Sequence, residues 1–402
     1  MPRAGWRKPE SERRLSDLVS VGVLTRAFPP TLVDEVIAAA GRTEQRHRSL
    51  PARVMAYFSI GMALHAEGAY EDVLGLLTDG LSWASGAEPV VLPSKSAIFQ
   101  ARARLGFEPI AALFARVAGP LATPSTPGAW LFGRRLMAID GLCLDVADTL
   151  ENDEWFGRAG VNKGERAAFP QARVVGLVEC GTHCLVDAEV GAYTTAENTL
   201  AAALIDRLQP GMLVLADRGF CGYPLWSKAA ATGADLLWRA ISSMKPRHLD
   251  TLGDGTWLAE LRPGGNAGRR AEPLTIRVIE YQIDDGRSND ETYRLFTTLL
   301  DPLEAPAAEL ALAYAQRWEI EAVFDELKTH QRGARTVLRS KSPDLVLQEI
   351  WGHLCCHYAI RTLMLEAADT AEVDPDRVSF VAALRIVRRS ITAARDFSPS
   401  VK

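Results

Sequence analysis

No apolar run in this chain of 402 residues approaches the roughly 18 that a membrane span requires. Nothing apolar follows the charges of the opening MPRAGWRKPESERR either. Neither a spanning helix nor a secretory leader is expected, and the protein should stay in the cytoplasm. Cysteine is sparse. Cys143, Cys180, Cys184, Cys221, Cys355 and Cys356 lie scattered through a long chain without an export signal, so a disulfide framework is not expected and the thiols should be reduced. Low-complexity tracts and internal repeats are missing, which excludes fibrous, disordered and solenoid chains. A basic excess is missing too: the formal net charge is -5, unlike the footprint that phosphate binding usually leaves.

What is present is the balance of an ordinary globular protein, 48% hydrophobic and 24% charged. The length suits about two to three domains of roughly 150 residues each. Charge is unevenly spread. From Met1 to Arg53 ten Lys and Arg face six acids, and from Lys328 to Lys341 there are five basic residues and no acid. Two basic islands in an acidic chain keep a polyanionic partner open.

The first third reads as punctuated helices: TLVDEVIAAAG, then PARVMAYFSIGMALHA opening on Pro51, then YEDVLGLLTDGLSW, with Gly41 and Gly80 as stops. In LPSKSAIFQARARLGFEPIAALFARVAG, Ser94 or Ser96 can cap a helix and a second helix follows Gly106, a pattern that resembles a helix-turn-helix. With its cations exposed, the capped helix would suit a major groove, so Lys95, Gln100, Arg102 and Arg104 are candidate DNA contacts. A dimerising helical domain is the plainer alternative. The Pro, Gly and Ser-rich ATPSTPGAW marks a boundary: a helical N-terminal domain is expected over 1–124 and an α/β domain over 125–402. Within the latter, RRLMAID, CLDVAD, ARVVGLVECG, HCLVDAEVG and MLVLADRGF read as strands, with ENTLAAALIDRL as a helix. From about 236 to 300 the alternation and Gly-rich turns suggest a small β-rich unit, and after Pro306 the chain reads as helical.

Two acids, Asp140 in LMAIDG and Asp217 in LVLADRGF, sit at the ends of strand-like apolar runs. A carboxylate there is costly unless it serves a partner, and the C-terminal edge of strands is where α/β folds place ligands. Asp-Gly and Asp-x-Gly are also ordinary turn formers, so either acid alone could be structural. A third segment, YAQRWEIEAVFDELK, reads as one helix from Tyr314 to Lys328. At about 100° per residue, Tyr314, Arg317, Glu321 and Lys328 share a narrow face beside the apolar stripe of Ile320, Val323, Phe324 and Leu327. A surface Arg317–Glu321 pair, worth a few tenths of a kcal/mol, would explain two of the four and not Tyr314 or Lys328.

The spacing Tyr314-x2-Arg317-x3-Glu321-x6-Lys328 is the Y-x2-R-x3-E-x6-K signature of bacterial insertion-sequence family four, a group of cut-and-paste DDE transposases that this chain resembles over nearly its whole length. Asp140 in IDG and Asp217 in DRGF resemble the family's first and second catalytic blocks, in the right order. GVLTRAFPPTLVDEVIAAAGR, SLPARVMAYF and PSKSAIFQARARLG resemble its N-terminal domain. The resemblance implies an α/β, RNase H-like catalytic domain with a β-rich insertion between the second Asp and the Glu, an interval of 104 residues here. It also implies that Asp140, Asp217 and Glu321 are catalytic and hold two Mg²⁺ or Mn²⁺ ions, with Asp140 shared between them. Three converging carboxylates could hold such ions roughly 4 Å apart and run both hydrolysis and strand transfer. Relatives excise their element through a DNA hairpin. Tyr314, Arg317 and Lys328 match the residues that grip its phosphate, and Tyr293 roughly matches the aromatic on which a flipped base stacks, with Trp257 as its rival. The implied partners are double-stranded DNA, as terminal inverted repeats and as target, bound by a dimer. One departure is that relatives often continue into a basic tail where this sequence ends ARDFSPSVK.

Other chemistry is weaker. HLCCHY and CGTHC could suggest a zinc site through His353, His357, Cys355, Cys356, Cys180, His183 and Cys184. Adjacent cysteines point about 100° apart on a helix, so a buried helix and a strand-turn-strand are expected instead. A transposase-derived DNA-binding protein would have lost an acid, and none is lost. A plain RNase H-like nuclease would not need the Tyr314-to-Lys328 face.

Overall fold

The computed structural model describes residues 22–46, 49–85, 92–160, 166–264, 271–282, 292–333 and 336–390. Six of the ten basic residues of the N-terminal island and all of ARDFSPSVK lie outside them. Among the described residues no helix is long and apolar enough to cross a membrane. Contacts divide the chain into two units, 1–118 with 144–171 and 325–402, and 119–143 with 172–324. The single span expected over 125–402 is thus split, its last helices grouping with the N-terminal ones.

The reason lies in two helices buried over most of their length, which must be covered on nearly every side. In the first unit, α1 (Gly22–Ala27), α2 (Pro30–Ala39), α3 (Ala52–Leu64), α4 (Tyr70–Ser85), α5 (Lys95–Leu105), α6 (Glu108–Val117) and α7 (Leu150–Phe156) are joined by α12 (Pro343–Ala371) and α13 (Phe380–Ser390). Only Arg53 of α3 escapes full burial, and α12 packs along α3 and α6. Gly352 permits the closest approach, since a Cβ there would stand 2.5 Å from the Ser59 carbonyl oxygen. Gly80, expected as a stop, lies inside α4, because the helix runs on to Ser85.

The cap on α5 forms as read: Ser94 Oγ accepts from the Ala97 N–H at 3.4 Å, and Gly106 ends the helix at φ +73°. Arg102, however, does not face solvent. It is fully buried, donating to Gln348 Oε1 at 2.9 Å, the Tyr70 hydroxyl at 2.6 Å, Ser340 Oγ and the Leu345 carbonyl. Its charge-assisted bonds fasten α5 to α12, so it is a structural residue and not a DNA contact. Lys95, Gln100 and Arg104 are exposed. The second basic island is divided likewise: Lys328 and Lys341 are exposed, whereas Arg332 is buried and Arg339 donates to the Gly68 carbonyl.

The histidines of α12 serve the core. His353 meets Gln331 Nε2 at 3.3 Å, and His357 meets Glu326 Oε2 at 2.9 Å, with Arg361 closing on the same carboxylate. Burial first, then Arg332 and Arg339, pushes the His353 pKa down to about 3. The folded value lies below the unfolded one of about 6.5, so this contribution is intact above pH 6.5 and is lost as pH falls toward 3. Relative to His353→Gln, wild type should lose about 1.4 kcal/mol between pH 7.5 and 5.5, measurable by urea unfolding at both pH values. A constant difference between the two proteins would show that His353 is not held neutral.

The second unit is built on a sheet. Its strands are β1 (Trp130–Leu131), β2 (Arg134–Asp145), β3 (Gln171–Glu179), β4 (Cys184–Ala192), β5 (Met212–Ala216), β6 (Asp235–Arg239), β7 (Arg247–Thr251), β8 (Trp257–Leu261), β9 (Leu274–Gln282) and β10 (Thr292–Thr297). Their order is β4-β3-β2-β5-β6-β10-β9-β8-β7, with β1 beside β2. β2, β5 and β6 run parallel to their neighbours in that trio, β3 and β4 are antiparallel, and the sheet is covered by α8 (Glu197–Ile205) and α9 (Tyr223–Ala230). Met137, Ile139, Val214, Leu204, Trp226 and Trp238 share one core. This is the RNase H-like α/β arrangement expected. The β-rich insertion is not a separate unit, because β10 pairs antiparallel with β6 and continues the sheet.

Candidate active site

Parallel pairing brings the first two acids together. Ile139 and Ala216 are the last registered partners of β2 and β5, so Asp140 and Asp217 follow side by side where the pairing stops. Asp217 ends its strand as expected, but Asp140 does not: β2 continues to Asp145, and the acid sits within it. Asp140 Oδ1 accepts from the Gly141 N–H at 2.8 Å, and Asp217 Oδ1 accepts from the Gly219 N–H at 2.7 Å in a tight turn. Burial pushes the Asp140 pKa up to about 6, opposed by the Gly141 N–H and Arg317 and assisted by the negative charges of Asp217 and Glu197.

The third acid arrives on a helix that the wheel misjudged. The chain from Tyr314 to Lys328 is not one helix: α10 (Ala307–Ala315) ends, Gln316 and Arg317 form a turn, and α11 (Trp318–Asp325) begins. A π-helical segment, Glu326–Gln331, then carries Lys328, where a 100° step no longer applies. The turn nevertheless aims Arg317 at the acids. Its Nη1 lies 2.9 Å from Asp140 Oδ2 and its Nη2 lies 3.0 Å from Glu321 Oε1, a fork joining two carboxylates. Arg317 is largely buried, while Glu321 keeps 44% of its side chain exposed and so remains reachable. Among the described residues, the ligand atoms of Asp140, Asp217 and Glu321 do not all come within 4.8 Å of one another.

Tyr314 is buried, its hydroxyl 3.4 Å from the Ala216 carbonyl, immediately before Asp217. Tyr293 stacks on its cross-strand partner Tyr281 at 5.5 Å, with the Arg239 guanidinium 4.1 Å from its ring centre. Its rival Trp257 stacks on His248 at 5.3 Å. The zinc alternatives do not assemble: CGTHC is the strand-turn-strand between β3 and β4, and His353 and His357 keep separate protein partners.

Two residues near the acids were not singled out from sequence. Glu197 and Asn198 open α8, and Asn198 Nδ2 donates to the Gly219 carbonyl at 3.2 Å, tying that helix to the Asp217 turn. Polar residues at the start of a helix that follows a strand were the available signal.

Comparison with known proteins places the chain in a family. The insertion element 4 transposase N-terminal model matches residues 18–115, and the transposase DDE domain model matches residues 131–359. The chain is 31% identical over 373 residues to the transposase InsG for insertion sequence element IS4 of Escherichia coli (strain K12), covering 92% of this chain and 83% of that protein. The chain belongs to the IS4 family of DDE transposases. The transposase is also 26% identical over 228 residues to the putative transposase InsZ of Escherichia coli (strain K12), covering 57% of this chain and 74% of that one. Among solved structures it is similar to the piggyBac transposase in a synaptic complex with hairpin DNA, at 13% identity and a TM-score of 0.49, covering 94% and 82% of the two chains. It is a metal-dependent, DNA-cleaving transposase. The oxygen-only donor set suits a hard divalent cation, and the Arg317 fork shows that two of the acids already hold positive charge between them.

Proposed function

We propose that the transposase cuts and rejoins phosphodiester bonds at the terminal inverted repeats of its element, through two Mg²⁺ or Mn²⁺ ions held by Asp140, Asp217 and Glu321. The observation that carries this reading is the Arg317 guanidinium clamped between Asp140 and Glu321, beside Asp217 at the end of the paired strands. When bound, such ions neutralise the phosphate and favour deprotonation of the attacking water or 3′-OH. Asp140, Asp217 and Glu321 would hold these ions through their carboxylate oxygens. Arg317, once released from Asp140 and Glu321, would offer its fork to a DNA phosphate, and Lys328 is a further candidate DNA contact. Tyr314, matched by the resemblance to the phosphate grip, has its hydroxyl on the strand end before Asp217, and Tyr293 offers its ring to an extruded base. Lys95, Gln100 and Arg104, exposed on a capped helix, contact the repeat, and two copies bring two ends together.

The test is a duplex carrying the repeats of this element, incubated with Mg²⁺ or Mn²⁺ and run on a denaturing gel. A nick at the repeat boundary followed by a hairpin-mobility product is expected, both abolished by EDTA. Nicking without any joined product would favour a plain nuclease. Cleavage indifferent to the repeat, or surviving EDTA, would overturn the proposal.

A further inference from the structure

Glu197 brings a further carboxylate close to the strand ends that carry Asp140 and Asp217. It stands in the first turn of α8, and its carboxylate lies against the backbone that follows Asp140: a Cβ built on Gly141 would fall 1.8 Å from Glu197 Oε1. Any side chain at 141 would therefore displace it, so the glycine after the first acid makes room for another acid. Glu197 is half-buried, and its charge is felt at Asp140 and lies within reach of Asp217. Arg173 is the cation nearest to it in effect, yet among the described residues its carboxylate accepts no hydrogen bond and forms no ion pair. A half-buried carboxylate repelled by two others and left without hydrogen bonds is costly. Asn198, the next residue, holds the helix start on the Asp217 turn and fixes Glu197 there.

Building on the metal site proposed above, we propose that Glu197 is a fourth carboxylate of that site and would help Asp140 and Asp217 hold an ion. It raises the affinity for that ion and sets its position against the strand ends. The arrangement explains two features together: a glycine at 141 within a strand, where glycine otherwise weakens the strand, and an acid at the head of α8 aimed inward.

The test uses Glu197→Gln, which keeps the shape and removes the charge, in the full chain bound to a repeat duplex. Free Mn²⁺ is followed by electron paramagnetic resonance during a titration. Mn²⁺ affinity should fall tenfold or more, the Mn²⁺ concentration for half-maximal nicking should rise by the same factor, and nicking should recover at saturating Mn²⁺. Gly141→Ala, which pushes the carboxylate aside without removing it, should weaken Mn²⁺ binding in the same direction. Thermal melting of each variant identifies a folding defect, and Glu197→Asp, which keeps the charge one methylene further back, should fall between wild type and the Gln variant. If the folded Gln variant binds Mn²⁺ as tightly as wild type, Glu197 is not a ligand. Should wild type itself show no metal-dependent nicking, the proposed function fails instead, which separates the two outcomes.

Discussion

Arg317→Ala should bind Mn²⁺ about tenfold more tightly than wild type, a gain of about 1.4 kcal/mol, while hairpin formation falls a hundredfold or more, about 2.7 kcal/mol. Both effects follow from one fork. The guanidinium bridges Asp140 and Glu321, so it competes with any metal for those oxygens. Its removal leaves the two carboxylates repelling each other and favours a divalent cation between them. The same guanidinium, once released, is the group available to hold a bent phosphate while the 3′-OH attacks the opposite strand. First-strand nicking needs less of that hold and should stay within roughly tenfold of wild type, about 1.4 kcal/mol. Arg317→Lys should resemble the alanine variant in strand joining, because a point charge cannot fork between two acids. A Mn²⁺ titration and a pre-nicked repeat end on a denaturing gel measure both. Weaker metal binding in the alanine variant, or an equal fall in nicking and joining, would remove Arg317 from this role.

The strands and their acids were legible because apolar period and burial agree. LMAID and LVLA form adjacent parallel strands, and the acids follow their last shared pair. The fixed spacing from Tyr314 to Lys328 led to the family without any need for the correct local geometry. That geometry was not legible: a uniform 100° step hides the turn at Gln316 and Arg317 and the π segment after Asp325. Nor could a strand end be distinguished from a strand that continues past its pairing, which is the situation of Asp140.

Arg102 differs in kind. It stands two residues from Arg104, so the two point to opposite sides of α5. Arg102 also falls on the face of Ile98, Ala101 and Leu105, all buried. Periodicity alone could have marked it as internal. The partners it needs, Gln348 and Ser340, lie some 240 residues away in sequence and could not be read from it. The grouping of the C-terminal helices with the N-terminal ones escaped for the same reason, since an apolar pattern announces that a helix is covered and not by what.

That three acids from β2, the end of β5 and α11 act as one catalytic set is tested most directly by removing them singly. Asp140→Ala, Asp217→Ala and Glu321→Ala should each reduce single-turnover nicking of a repeat duplex in Mg²⁺ by a thousandfold or more, about 4 kcal/mol, since metal stabilisation of the transferring phosphate is worth several kcal/mol. Gel-shift affinity for the same duplex, measured in the same buffer, should change by less than about threefold, under 1 kcal/mol, because the acids hold metal and not phosphate. Near wild-type nicking by any one of the three, in a protein that still binds the repeat, would contradict the three-acid site.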